Sequence, residues 1–193
     1  MENLLPILIV VGALILIPLI WLIATYNILV RLRFQLKESW SDVQAELQRR
    51  YDLIPNLVEI VKGYAKHERE TLEHVVELRN TAAANHGTPQ EQAGDENSFI
   101  GGVKQLFAVA EAYPDLKANQ NFLQLQDELV NTEDRIQASR RFYNANVRDL
   151  NTRVGVFPSN LVAGMFHFEQ AQYFEIEDSS IRAAPKIGFT GAA

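Results

Sequence analysis

The chain has 193 residues, a formal charge of −6 and no cysteine, which excludes disulfides, thiolate metal sites and a cysteine nucleophile. Phosphate affinity comes from clustered Lys and Arg, so an acidic chain with an isoelectric point near 5.3 offers no dominant face for a nucleic acid. Past an apolar first segment, the remaining length suits one domain.

No charged side chain occurs from Asn3 to Val30, and Leu4 to Ala24 is almost wholly Leu, Ile and Val. A hydrocarbon core about 30 Å thick needs about 20 apolar residues at 1.5 Å each, and a helix satisfies its own backbone polar groups there. The pattern predicts a short tail over 1–3, a transmembrane helix over 4–26, a helical bundle domain over 27–168 and an extended or partly ordered tail over 169–193. Trp21 and Tyr26 fall where amphipathic rings favour the headgroups, and Arg31 and Arg33 complete the expected membrane interface. A cleaved signal peptide is the alternative, but the apolar run is long and no Lys or Arg precedes it. Arg31, Arg33 and Lys37 crowd the far side while Glu2 stands alone on the near side, which predicts a single-pass membrane protein with its domain in the cytoplasm.

Beyond the anchor, Leu29, Leu32, Leu36, Trp40, Val43, Leu47, Tyr51, Ile54, Val58, Val61 and Ala65 recur at steps of three and four, the stripe of a buried helix face. Leu72, Val75, Leu78 and Ala82 resume it, so one long helix is expected from the membrane almost to Ala84, with Pro55 as its kink and Gly63 loosening it. Residues 85–98 are polar, hold two glycines and a proline, and read as a mobile hairpin tip. Ser98 is the expected cap of a short helix through Ala110, interrupted after Tyr113 by Pro114. A second long helix follows, with the stripe Phe122, Leu125, Leu129, Thr132, Ile136, Ser139, Tyr143, Asn146 and Leu150, and Gly155 is its stop. Ser159 or Asn160 opens a last short helix through Met165 and Phe166. The fold class expected is all-α: an N-terminal transmembrane helix followed by an antiparallel bundle dominated by two long helices.

The best metal constellation is His67, Glu70 and His74, since steps of three and four would put these ligands on one helical face. A solvated charged face reads the same way and is preferred. The zinc-protease pattern lacks its second His, and no Glu stands three residues before a His as di-iron bundles need. No Gly-flanked serine elbow or lysine-bearing phosphate loop occurs. Catalytic residues and cofactors are therefore expected to be none. Two charge clusters stand out: Arg49, Arg50 and Asp52 on the first helix, and Glu133, Asp134, Arg135, Arg140 and Arg141 on the second. Their pairing across the bundle would fix the register of helices whose apolar seams alone tolerate sliding.

Several strings resemble one family. Tyr26-Asn27-Ile28-Leu29-Val30-Arg31-Leu32-Arg33, Trp40-Ser41-Asp42-Val43 and Arg49-Arg50-Tyr51-Asp52-Leu53-Ile54-Pro55-Asn56-Leu57-Val58 are similar to signatures of the LemA family of bacterial membrane proteins. Val61 to Ala65 with His67-Glu68, Tyr113 to Asn119, Thr132 to Ile136, Arg140 to Asn144 and Phe157 to Asn160 extend the likeness to about Phe168. The resemblance implies an anchored helical bundle with long antiparallel helices and supplies no catalytic or ligand-binding residues. The departures lie in the tip over 85–98 and in the C-terminal tail.

The function expected is a non-enzymatic, membrane-anchored scaffold or assembly module, homo-oligomeric through its bundle, in contact with membrane lipid and with other membrane proteins. Tethering in two dimensions amplifies weak lateral contacts. Two alternatives stand beside it: a metal-dependent enzyme or metal sensor using the His/Glu face, and a sensor that binds a peptide or lipid in the bundle groove.

Overall fold

The computed structural model describes residues 4–176, with side chains from Ile9 onward. Six helices and no strand occur among the described residues: α1 Leu4–Tyr64, α2 Arg69–Ala84, α3 Pro89–Glu111, α4 Pro114–Lys117, α5 Gln120–Gly155 and α6 Ser159–Met165. The chain is all-α, a helical bundle whose first helix carries the long apolar N-terminal segment.

The apolar segment and the bundle share one helix. Side chains from Ile9 to Ile23 are largely exposed to surroundings, whereas Leu29, Val43, Leu47, Ile54, Leu57 and Val61 are buried at the three-and-four spacing. These pack chiefly on α5, through Ile136, Tyr143, Val147 and Leu150. Trp40 stacks near Tyr143 while Arg50 reaches Glu133, so α1 and α5 run antiparallel. At about 25 cal/mol per Å² of apolar area removed from water, this seam is the main source of cohesion.

α1 passes Pro18 and Pro55 without a break. Pro55 removes the N–H that the Tyr51 carbonyl, four residues earlier, would accept. Arg79 of α2 fills the gap, its Nε donating to that carbonyl at 3.1 Å. The proline at the expected kink thus opens a docking point for the neighbouring helix.

The expected continuation of α1 to Ala84 is not found. The helix ends at Tyr64, and Ala65–Glu68 form a turn that sends α2 back along α1. Buried Ala65, Leu72 and Val75 keep the stripe in phase across the turn, since the returning helix faces the same core. Gly63, about 1 kcal/mol weaker than Ala in a helix, is the local weakness.

The expected loop over 85–98 is likewise mostly helix. Thr88 caps α3 with Pro89 at its first turn, and a capping box closes it: the Thr88 N–H donates to Glu91 Oε2 at 2.8 Å and the Glu91 N–H to Thr88 Oγ1 at 3.3 Å. Ser98 lies inside that helix instead of starting it. The buried positions of α3 are Gln92, Ala93, Glu96, Phe99, Gly102, Leu106 and Ala110. The spacing is helical, but polar and small residues occupy five of these seven positions. Gly102 permits close approach to α2, where a Cβ would stand 2.7 Å from Leu78 Cδ1.

Asn119 caps α5 by accepting from the Asn121 and Phe122 amides. After α6, His167 turns the chain with a left-handed φ of 55°, and residues 169–176 run extended along α5. The Asn151 amide exchanges two hydrogen bonds with the Ala171 backbone, at 2.9 and 2.8 Å. Asn144 does the same with Phe174, both at 3.0 Å. Seven helical residues rise about 10.5 Å and three extended ones about 10 Å, so the two repeats match. Buried Phe174 then inserts edge-on to Trp40 at 5.3 Å. Of the tail expected over 169–193, residues 177–193 lie outside the described residues.

Candidate functional site

The most concentrated polar chemistry in the described molecule surrounds Arg50, which faces inward from the last third of α1 and is 2% exposed. Its Nη1 donates to Glu133 Oε2 of α5 at 2.8 Å, and its Nη2 forms an ion pair with Glu96 of α3. The guanidinium lies over the Phe99 ring, 5.1 Å from its centroid. Tyr51, next in sequence, donates its hydroxyl to the other oxygen of Glu96, and its ring meets Phe99 edge-on at 5.7 Å. One buried carboxylate on α3 therefore receives two consecutive residues of α1.

Burial pushes the Arg50 pKa down, against the pull of Glu133, yet an arginine starts so high that it stays charged. Burial likewise pushes the Tyr51 hydroxyl up to about 12, with Asp95 adding to the rise and Arg50 and Arg79 opposing it. Tyr143, whose hydroxyl donates to the Gln172 carbonyl, is also raised to about 12 by burial. Both phenols hold their protons as donors. Buried ions need paired and hydrogen-bonded surroundings, and Arg50 Nε has no such partner among the described residues.

Between α3 and α5 lies an apolar cleft of about 300 Å³, walled by Ile100, Val103, Phe107, Leu129 and Val130 and reached by Arg50 and Glu133. A wider, more open and more polar hollow of about 1110 Å³ adjoins it, bordered by Asn97, Arg140, Arg141 and Arg148 and by the tail. Ile176 borders both.

The residues singled out from the sequence are distributed unevenly. Arg50 and Glu133 meet. Arg49 lies near Glu46 of its own helix at 3.9 Å, and Asp52 faces Gln48 and Arg79 instead of α5. Arg140 donates to the Ile176 carbonyl at 3.1 Å, tying down the tail. Asp134, Arg135 and Arg141 are exposed, with no ion pair among the described residues. His67 falls in the turn between α1 and α2, off the helix that carries Glu70 and His74, so the face expected from continuous spacing is not formed. His74 lies 3.9 Å from Glu77, and among the described residues no three His, Asp or Glu side chains are grouped to hold a metal. Tyr26 packs against Phe166 and Phe168, Arg33 lies over the Phe168 ring, and Trp21 and Arg31 are exposed.

Glu96 and Asn151 were not singled out from the sequence. Glu96 sits in a stretch that reads as loop, and only the Thr88–Glu91 capping signature and the 92-96-99 spacing point to it. Asn151 stands seven residues after Asn144, a spacing that places both amides on one helical face.

A protein of Metamycoplasma hominis named Protein LemA is 27% identical over 167 residues, covering 81% of this chain and 75% of its own. Magnetosome protein MamQ 2 of Paramagnetospirillum magneticum is 26% identical over 179 residues, covering 80% of this chain and 66% of the relative. Magnetosome protein MamQ of Magnetospirillum gryphiswaldense is 24% identical over 178 residues, so this chain spans only 65% of that relative's length. The LemA family model matches residues 39–189, running through the 85–98 segment and past the described tail. With most of its length so matched, the chain belongs to the LemA family.

Proposed function

We propose that this protein is a non-enzymatic, membrane-anchored helical scaffold that associates with copies of itself, its bundle on the cytoplasmic side of the inner membrane. The observation that carries the reading is α1: one helix begins as an apolar segment of membrane-spanning length and continues as the core of the bundle. The polar groups between helices support it too, because buried Arg50, Glu96 and Tyr51, with the partly exposed Glu133, are spent on joining α1, α3 and α5. Light scattering on the detergent-solubilised full chain tests self-association, with a particle of two or more chains expected. A one-chain particle at high concentration would sink it. Protease added to spheroplasts should leave the bundle intact, and cleavage from outside would reverse the orientation.

A second reading is favoured by the cleft between α3 and α5. Its volume is at the small end for ligand sites, and Arg50, which borders it, has an Nε without a hydrogen-bond partner among the described residues. A ligand with an apolar body and one acceptor, a peptide or lipid, fits that chemistry. Adding fatty acids or apolar peptides would raise the melting temperature if this reading holds, and an unchanged melting curve removes it.

A further inference from the structure

The end of the bundle where α1 leaves its apolar segment carries a second apolar surface. α6 buries Val162 and Ala163 against Leu29, Leu150, Leu22 and Val30. Its other face presents Leu161 and Met165, 60% and 63% exposed, at the four-residue spacing that makes them neighbours. Val156 and Phe157, in the turn before α6, and Phe166 after it enlarge the patch. So many large apolar side chains together on a single chain mark a contact surface.

Position and charge name the occupant. Tyr26, near the end of the apolar run, lies 4.7 Å from the Phe166 ring and 5.9 Å from Phe168. The patch therefore stands at the level where α1 would emerge from lipid. Residues 22–37 and 150–168, the stretches that pack together here, include Arg31, Arg33, Lys37 and Arg153 and not one carboxylate, in a chain of net charge −6. Basic side chains around exposed apolar ones fit a surface of acyl chains beneath anionic headgroups.

We infer that the α5–α6 corner is a second membrane contact, dipping into the interface of the same bilayer that α1 crosses, on anionic lipid. The inference rests on the anchor reading of α1. Two attachment points, one spanning and one interfacial, fix the tilt of the bundle against the bilayer.

The absence of native cysteine allows single-cysteine dye labels on the full chain. Leu161→Cys reports α6, Ile15→Cys the apolar segment and Ala108→Cys an exposed position on α3. In vesicles of phosphatidylcholine and phosphatidylglycerol, lipids carrying spin labels should quench Leu161 and Ile15 severalfold more than Ala108. Shallow labels should act best on Leu161 and deep ones on Ile15. Leu161 quenched no more than Ala108, with Ile15 quenched, overturns the inference and leaves the anchor standing. Ile15 unquenched overturns both. A blue-shifted dye at Leu161 that lipid labels do not quench assigns the patch to a protein partner and overturns the proposal. An equal Leu161 signal in pure phosphatidylcholine overturns the anionic-lipid part.

Discussion

The α1–α5 pair and the α2–α3 hairpin solve one packing problem with different materials. Along α1 and α5 the seam is mostly apolar, carried by Val43, Leu47 and Ile54 on one helix and Ile136, Tyr143 and Val147 on the other, and interrupted chiefly at Arg50. Along α3 it is interrupted by Gln92 and Glu96 and thinned by Ala93, Gly102 and Ala110. An apolar seam gives cohesion without direction, because hydrophobic burial scales with area and tolerates small slides. A buried ion pair contributes less net stability and punishes misplacement, since a lone buried charge is costly. The long helices supply the cohesion, and Arg50 with Glu96 sets where the hairpin sits on them.

The largest expected effect comes from breaking the second device. Glu96→Ala leaves the buried Arg50 with only the half-exposed Glu133, and a loss of about 3–5 kcal/mol is expected in denaturant unfolding. Replacing both charges, Arg50→Met with Glu96→Leu, should restore most of it while loosening the hairpin's register. A double variant as unstable as Glu96→Ala would mean that shape, not charge, holds α3. Ile136→Ala, at a fully buried position of the seam, is expected to cost about 2–5 kcal/mol. Its loss should lower the midpoint of the whole bundle, whereas Glu96→Ala should expose α3 to protease first.

Thr88→Ala should cost about 1 kcal/mol through the capping box, seen as faster amide exchange at the start of α3 alone. The last effect is read by pH. Tyr51 and Tyr143 hold their protons up to about 12 in the folded chain, against an ordinary 10. Their contribution is complete below pH 10 and is lost as pH rises from 10 to 12. Thermal melts should decline across that window, and the decline should flatten in Tyr51→Phe with Tyr143→Phe.

The same contrast explains what could be read from the letters. The α1 and α5 stripes and the short α6 are visible because apolar residues recur with helical period where nothing else competes. The turn over 65–68 is invisible because Ala65, Leu72 and Val75 stay in phase on either side of it. α3 is hidden because its seam is polar where periodicity looks for apolar residues, although Thr88-Pro89-Gln90-Glu91 spells a helix start. Arg50 and Glu133 stood out as charged residues on striped helices. Glu96 did not, because a carboxylate in an apparent loop reads as solvated.

α1 runs without a break from Val30 to Tyr64, Pro55 included. At 1.5 Å per residue that stretch is a strut about 50 Å long. Twisting its apolar end about the axis must swing the far end through a matching angle, with no swivel to absorb it. A partner bound at the α2–α4 end would therefore feel torque applied at the other.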